Sequence, residues 1–369
     1  MRTIHYISIL ILLFLASCTP DDSLSSDDEQ GNVTFLFTAG SEINTRTDLG
    51  KVGPKNQQHV EKVYLYIFKG TGNNATYADV REIDWPNPAD VSHGTTQRSY
   101  TIGLAPDDYT FLAVGLDDQS GATYNLPSAI AAGTTLANAK ATLASGQTTK
   151  EIARSELFAG WQNATIKASN NAVVTIDLWR RVAGVLGYFT SFPEDVQTVQ
   201  VLLYEDQNTD IPLRKPTNNN TAEDTDFGTE VTGTTDGQIL LSFDAEADCE
   251  FPEGGGTGFF GGLYRKGAYV LPKQAPTAAS VTHTLTVRTL KMDGTIVRSY
   301  NVILRSSSDG ATGGSITTPV DAKKFPLYAN QLYSIGTEEN PVDLGEEGND
   351  MVITVNPDWE EIAPAFPLE

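Results

Sequence analysis

Residues 62–68 read KVYLYIF, a run of β-branched, aromatic and other apolar side chains without glycine or proline. Residues of these types favour extended strands, and a run of this length fits one strand. Similar runs recur between segments rich in Gly, Asn, Asp, Pro and Thr, at 33–38, 98–103, 109–115, 172–178, 182–190, 199–204, 238–243, 267–271, 282–290, 296–304, 332–335 and 351–355. This spacing is typical of β-sandwiches, so the sequence predicts an all-β protein.

Two local signals refine this picture. Asp293-Gly294 lies between the strand candidates at 282–292 and 295–304, which predicts a tight hairpin. Residues 134–144 begin with threonines, are rich in alanine and place Leu136 and Leu143 seven residues apart. This pattern predicts one short accessory helix across a sandwich edge.

Length and charge limit the classes of protein to consider. The chain has 369 residues, 40% of them hydrophobic, and a formal net charge of −22. Its length suits two domains, which we expect at 32–170 and 171–369, with residues 206–237 as a polar surface loop. The acidic surface disfavours nucleic acid and anionic lipid as partners.

The first residues indicate export. Residues 1–17 combine Arg2 with an apolar run that is too short to span a bilayer, and thus read as a signal peptide. Leu15-Ala16-Ser17-Cys18 looks like a bacterial lipobox, in which Cys18 would be acylated after cleavage. The alternative is an ordinary secretory signal with a chance cysteine. Residues 18–31 are acidic and polar, and we expect them to form a solvated tether between the lipid anchor and the folded domains.

Sites of catalysis or metal binding are not apparent in the sequence. His59, His93 and His283 are isolated, and the sequence contains no HExxH, GxSxG or phosphate-loop motif. The acidic loop around Asp224 lacks the glycine and glutamate of an EF-hand. With Cys18 acylated, Cys249 is left without a disulfide partner. We therefore expect no catalytic residue, no metal, no cofactor and no enzymatic activity.

One glycine-rich match is discounted for its context. Residues 256–261 read GTGFFG, which fits GxGxxG, but neither a parallel strand nor a helix flanks it. The dinucleotide fingerprint needs both. We expect a flexible loop that carries Phe259 and Phe260.

The N-terminal strand and the loop after it form one candidate site. Val33, Phe35 and Phe37 alternate with other residues, so they share one face of a half-buried strand. Residues 40–50 follow as a polar loop with one basic residue, Arg46. Because exposed loops are preferred cutting sites, a trypsin-like protease would cleave between Arg46 and Thr47.

The C-terminal tail, about 357–369, forms the second candidate site. Ile362, Pro364, Phe366 and Leu368 recur at period two, which predicts a strand with one apolar face. Pro364 and Pro367 each remove a ladder donor, which argues against a fully paired central strand. The alternative is a terminal strand that packs on its own domain.

The order of several segments resembles the fimbrillin family, the pilus subunits of Gram-negative anaerobes of gut and mouth. The segments are 15–18, 33–38, 45–50, 60–68, 156–160, 176–183 and 356–359. The resemblance implies a lipoprotein precursor with two transthyretin-like β-sandwich domains. It also implies that a surface protease removes the N-terminal strand by cutting after a basic residue. The groove left behind would accept the C-terminal strand of a neighbouring subunit.

Carried over to this chain, the resemblance assigns roles to the residues above. It implies an acylated, palmitate-bearing Cys18, cleavage between Arg46 and Thr47, and a displaced strand that carries Val33, Phe35 and Phe37. The donor strand carries Ile362, Pro364, Phe366 and Leu368. The implied partners are other pilus subunits in a head-to-tail polymer, the protease, the outer membrane through the lipid, and host glycans or proteins. The implied locations are the cell outer membrane and then the extracellular fimbrium.

Other roles remain open at this point. A tip subunit would need the groove but no donor tail, and a basal anchor would keep its lipid and N-terminal strand. A glycan-binding surface lipoprotein would use exposed aromatic residues such as Trp85, Phe259 and Phe260, although such residues are more often buried. A hydrolase is disfavoured because the sequence offers no catalytic constellation.

Overall fold

The computed structural model describes residues 30–39, 60–85, 97–117, 120–204, 208–214, 227–229, 237–249, 262–304, 323–337, 340–345 and 350–356. The predicted signal peptide, Cys18, Arg46, Thr47 and the tail therefore lie outside the described residues. Among the helices of the described part, none is long and apolar enough to cross a membrane.

The described residues form eighteen strands. Their bounds are β1 (Gly31–Ala39), β2 (Lys62–Lys69), β3 (Thr76–Asp84), β4 (Gln97–Leu104), β5 (Asp107–Leu116), β6 (Lys140–Thr142), β7 (Leu157–Ile166), β8 (Asn171–Arg180), β9 (Ala183–Thr190), β10 (Thr198–Leu203), β11 (Asp210–Pro212), β12 (Gln238–Asp244), β13 (Tyr264–Val270), β14 (Leu285–Leu290), β15 (Ile296–Leu304), β16 (Leu332–Ile335), β17 (Val342–Asp343) and β18 (Asp350–Asn356). Two four-residue helices lie between strands: α1 (Ser120–Thr123) lies between β5 and β6, and α2 (Thr149–Ile152) lies between β6 and β7. The all-β prediction is confirmed.

The first sheet folds over to make two facing layers. Its strand order is β3-β2-β5-β7-β8-β1-β4, and β7 meets β8 through just two residue pairs. Side chains from β1 and β8 share a core cluster with side chains from β2 and β5, although β1 and β5 are not neighbours in the sheet. The layer β8-β1-β4 therefore packs face to face against β3-β2-β5-β7, as in a sandwich.

The run KVYLYIF is apolar throughout because β2 is buried on both faces. Val63, Leu65 and Ile67 face the core inside the sandwich. Tyr64, Tyr66 and Phe68 face a second cluster on the other side. A strand with two buried faces reads as a continuous apolar run rather than as an alternation.

The second sheet follows the order β12-β10-β14-β15-β18-β16-β9-β13, and β17 also pairs with β9. Its main cluster holds Val199, Val201, Leu241, Val287 and Val302, all fully buried. The predicted hairpin at Asp293-Gly294 is confirmed, because it joins β14 to β15 and Gly294 has a φ of +81°. A positive φ is the reason a glycine suits this turn.

The two sheets are joined by a shared cluster. The outer face of β2, β5 and β7 packs with the 124–152 connection and with residues of the second sheet, including Leu186, Tyr188 and Tyr269. The short strands β6 and β11 pair across the same junction. The amide of Tyr269 also donates to the carbonyl of Ala153 at 3.1 Å.

Three sequence expectations differ from the structure. The surface loop expected at 206–237 contains the strand β11, which pairs with β6 and buries Ile211, so this part of the segment is not a surface loop.

The helix predicted at 134–144 is wrong, because this segment forms a short 3-10 turn (Leu136–Asn138) followed by strand β6. Pairing with β11 and burial of Leu136 and Ala141 outweigh the weak helical pattern of a short, alanine-rich segment. The domain boundary expected at 170/171 precedes β8, whereas β8 pairs with β1, so the first sheet extends through Arg180.

Candidate functional site: the slot of the first strand

β1 is the most N-terminal strand of the described chain, yet it lies inside a sheet. It pairs in parallel with β8 from Asn32/Asn171 to Ala39/Leu178. On its other side it pairs antiparallel with β4, from Gly31/Leu104 to Thr38/Gln97. We call the space between β4 and β8 that β1 fills the β1 slot.

The inward face of β1 is completely buried. Val33, Phe35 and Phe37 each have 0% of their surface exposed. The rings of Phe35 and Phe37 stack with centroids 6.0 Å apart. Phe35 also meets Phe111 of β5 edge-on, with centroids 4.8 Å apart. The structure thus brings the three predicted side chains onto one buried face, as the period-two pattern predicts.

The outward face of β1 is held by hydroxyl groups. The hydroxyls of Thr34 and Thr101 on β4 lie 3.0 Å apart. Thr38 donates a hydrogen bond of 2.6 Å to the carboxylate of Asp177 on β8. These contacts are at the solvent-exposed surface, so the burial of the inward face contributes most of the stability of this strand.

β4 depends on β1. Within the described residues, β1 is the only strand that pairs with β4. Its inward residues Tyr100, Ile102 and Leu104 are half-buried against the sandwich core. Departure of β1 would therefore leave β4 without a ladder partner in the described sheet and expose the edge of β8. Such unpaired strand edges invite pairing with another chain.

A buried ion pair anchors the junction beside the slot. Glu156 is 1% exposed, and its carboxylate lies 2.6 Å from the guanidinium of Arg180 at the end of β8. The next residue, Arg181, donates hydrogen bonds of 3.1 and 2.9 Å to the carbonyl of Pro212 in β11. Adjacent arginines thus contact the residue that precedes β7 and the strand β11.

A second charged contact crosses the same junction. Asp210 of β11 accepts a 3.1 Å hydrogen bond from Lys140 of β6 and a 3.0 Å bond from the amide of Thr229. Burial alone would raise the pKa of Asp210, but hydrogen bonds from Thr229 and Lys140 together hold this pKa below its ordinary value.

Several residues that the sequence singled out lie away from the β1 slot or outside the described residues. Trp85 is 1% exposed, so it cannot stack on a glycan. Phe259 and Phe260 lie outside the described residues, as do Cys18, Arg46 and Thr47 and the tail residues Ile362, Pro364, Phe366 and Leu368. The roles assigned to these residues stay predictions.

Sequence reasoning missed the floor of the slot. Phe111 lies beneath Phe35 from the facing layer, and its ring stacks with that of Tyr109 at a centroid distance of 5.8 Å. Their aromatic character was visible, but nothing local indicates that β5 lies across the core from β1.

In the described part of the chain, no group of three or more His, Cys, Asp or Glu side chains is placed to hold a metal ion. A shallow, open cleft of about 410 Å³ lies on the second half of the chain, lined by Phe227, Gln274, Ala275, Pro326 and Tyr328.

Comparison with known families supplies the identity. Residues 26–238, more than half of the chain, match the family described as fimbrillin-A associated anchor proteins Mfa1 and Mfa2. The chain belongs to this family. The resemblance to the fimbrillins is thereby confirmed, and the matched region contains β1, β4 and β8. Membership makes the chain a fimbrial protein of the cell surface. No curated protein sequence matches it.

Solved structures with a similar course of the chain include fimbrial proteins. The tip fimbrial protein Mfa3 from Porphyromonas gingivalis is 10% identical, with a TM-score of 0.45, over 88% of this chain and 98% of that one. The fimbrial anchor protein Mfa2 from the same organism is 14% identical, with a TM-score of 0.40, over 89% and 98%. A fimbrial assembly protein from Parabacteroides distasonis is 12% identical, with a TM-score of 0.39, over 83% and 90%.

Proposed function

We propose that this fimbrial protein is a structural subunit that polymerises by exchange of β1. It is exported as a lipoprotein acylated on Cys18. A surface protease cleaves between Arg46 and Thr47, which detaches β1 from the rest of the chain. The tail of a neighbouring subunit, through Ile362, Pro364, Phe366 and Leu368, then takes its place.

One observation carries this proposal: β1, the most N-terminal strand of the described residues, is the penultimate strand of its sheet and links the edge strand β4 to the remainder. Once the cut after Arg46 separates β1 from the strands that follow it, β1 can leave without threading the rest of the chain through the fold. Because Val33, Phe35 and Phe37 are fully buried, its departure opens an apolar slot with two unpaired edges. A strand with an apolar face at period two is complementary to such a slot, through main-chain hydrogen bonds and alternate pockets.

Burial of the apolar face of the tail would favour the exchange. Burial of Ile362, Phe366 and Leu368 would contribute roughly 1.5–3 kcal/mol each, before the cost of association. Pro364 and Pro367 reduce the number of ladder bonds that the tail can form. The apolar contacts, rather than the full set of backbone bonds, would then account for most of the affinity.

The placement of the two ends favours a filament. The tail follows β18, which pairs with β15 and β16 in the second sheet, whereas the slot belongs to the first sheet. Donor and acceptor are thus different surfaces of one subunit. Such a head-to-tail contact produces a fibre when it does not close into a ring.

The remaining assignments follow from this mechanism. The precursor resides in the outer membrane through its lipid, and the cleaved subunit resides in the extracellular fimbrium. Its partners are other subunits, the protease and host glycans or proteins. The proposed role requires no catalysis, because strand exchange needs only packing and pairing.

A basal anchor is the second candidate. The description of the matched family names anchor proteins, and the match begins before β1. An anchor would keep Cys18, its lipid and β1, and would never be cleaved at Arg46. The slot would then stay filled, and only the tail would engage a partner.

N-terminal sequencing of fimbriae sheared from the cell surface tests the two candidates. A start at Thr47 supports the exchanging subunit. A blocked, lipidated Cys18 on every copy supports the anchor and contradicts the proposal. Mass spectrometry of the same sample separates free from acylated N-termini.

A further inference from the structure

The β1 slot is blocked at one end. Gly31 lies against the turn between β7 and β8, and a Cβ atom there would come within 2.4 Å of the Lys167 carbonyl oxygen and 2.8 Å of Ile166 Cγ2. Real Cβ atoms essentially never approach so closely. The inward pockets therefore begin at the position of Val33 and continue through those of Phe35 and Phe37.

The middle pocket has an aromatic floor. Phe35 fills it and meets Phe111 edge-on at 4.8 Å with planes at 75°. Phe111 is itself stacked with Tyr109 and is fully buried. An incoming strand with an aromatic side chain at this position would restore an edge-to-face pair that an aliphatic side chain cannot make.

The apolar face of the tail carries one aromatic residue, Phe366, between Pro364 and Leu368. With Phe366 in the pocket of Phe35, the tail has two possible directions. In the direction of β1, Ile362 would fall at the blocked position of Gly31. In the opposite direction, Leu368 falls at Val33, Pro364 at Phe37 and Ile362 beyond it, away from the block.

We infer that the tail of a second copy enters the slot in the direction opposite to β1, with Phe366 in the pocket of Phe35. This inference rests on the proposed strand exchange. The tail would then lie antiparallel to β8 and parallel to β4, the reverse of the pairings that β1 makes. Antiparallel pairs are slightly more stable per residue than parallel ones, so the exchange carries no penalty at β8.

The prolines are compatible with this arrangement. Amide groups of successive residues in a strand point to opposite neighbouring strands. Because Pro364 and Pro367 are three residues apart, their nitrogen atoms face different neighbours. Each therefore removes one ladder bond, and the two losses fall on different neighbouring strands. Neither β4 nor β8 loses both bonds.

Disulfide trapping between copies tests the direction. β1 residues Leu36 and Thr38 face Ser99 and Gln97 on β4, and Thr34 faces Thr101. In the inferred direction, Ala365 takes the place of Leu36 and Ala363 that of Thr38. Ala365→Cys should then link to Ser99→Cys, and Ala363→Cys to Gln97→Cys. Each pair is introduced into the full chain with Cys249→Ser, and cells assemble the fimbriae before mild oxidation.

The expected result is a ladder of covalent multimers for both pairs on a non-reducing gel, and none for uncleaved precursor. Two control pairs detect the other direction. They combine Thr101→Cys with Ala365→Cys or with Ala363→Cys. A tail that runs in the direction of β1 links Ala365→Cys to Thr101→Cys when Phe366 lies at Phe35. It links Ala363→Cys to Thr101→Cys when Phe366 lies at Phe37.

A ladder from either Thr101 pair would overturn the inference and leave the strand exchange standing. Cleaved wild-type chain that forms no fimbriae, with no ladder from any pair, would overturn both. Phe366→Leu supplies an independent readout of the pocket, because it removes the edge-to-face partner of Phe111. We expect about two- to tenfold weaker binding of the tail; unchanged binding would contradict an aromatic pocket.

Discussion

Phe35 meets Phe111 edge-on across the core of the first sandwich, with ring centroids 4.8 Å apart. The contact joins the terminal strand β1 to β5, a strand of the opposite layer. In the proposed exchange, the strand that leaves is therefore also a central part of the core of the uncleaved chain. The precursor should be stable because β1 is in place, and its activation should require that this contact be broken.

The first prediction concerns the contribution of β1 to stability. Phe35→Ala should lower the free energy of unfolding of the uncleaved chain by about 3–5 kcal/mol, because it opens a cavity in a fully buried site. Leu36→Ala, on the half-buried outward face, should cost clearly less. Urea denaturation of both variants measures the difference. Equal losses would show that the inward face has no special role.

The second prediction concerns processing. Arg46→Ala should leave a folded, lipidated monomer at the cell surface, because the slot is never opened. Lys51→Ala, a few residues further on, is the matched control and should be processed normally. Immunoblots and electron microscopy of the cell surface provide the measurement. Fimbriae of normal length from the Arg46→Ala strain would mean that cleavage at this site is not the trigger.

The third prediction concerns the tail. Phe366→Asp should yield a stable, cleaved subunit that cannot donate, because a charge without a partner would be buried in the slot at a cost of several kcal/mol. Ala365→Asp faces the other side and should be milder. Both precursors should melt at the wild-type temperature. A large drop for the Phe366→Asp precursor would show that the tail packs on its own domain.

The fourth prediction concerns the junction. Glu156→Gln should destabilise the chain by about 3–5 kcal/mol, because it removes the buried negative charge that lies against the guanidinium of Arg180, which is itself 8% exposed. The matched control is Glu82→Gln, which breaks the exposed pair between Lys62 and Glu82. That change should cost less than about 1 kcal/mol. Thermal melts that fail to separate the two variants would contradict a buried role for Glu156.

The fifth prediction concerns acid stability. Because the pKa of Asp210 is lowered in the folded chain, its ionised form stabilises the fold above the ordinary carboxyl pKa of about 3.9. This contribution is lost as the pH falls through the lowered pKa. Asp210→Asn should therefore be less stable than wild type at neutral pH and lose less stability below about pH 4. Parallel acid-limb curves for the two proteins would contradict the prediction.

The local sequence was sufficient for most of the strands. The alternation of Val33, Phe35 and Phe37 encodes a strand with one buried face, and the continuous run 62–68 encodes one buried on both faces. The positive φ of Gly294 explains why Asp293-Gly294 identified a hairpin. Strand β3 was missed because, as an edge strand, its sequence TYADVREID is mostly polar.

Only the tertiary structure shows which strands pair with each other and which surfaces they pack against. An alternating pattern reports that one face is buried, but the surface that buries it lies far along the chain. Thus the sequence alone determined an all-β chain and the buried face of β1, and it predicts an apolar face for the tail, which lies outside the described residues. Tertiary packing decided that β1 lies between β4 and β8, that Phe111 forms the floor of its slot, and that the turn at Lys167 blocks the end at Gly31. It also turned residues 140–142 into a strand, because pairing with β11 provides backbone bonds that a short isolated helix could not sustain.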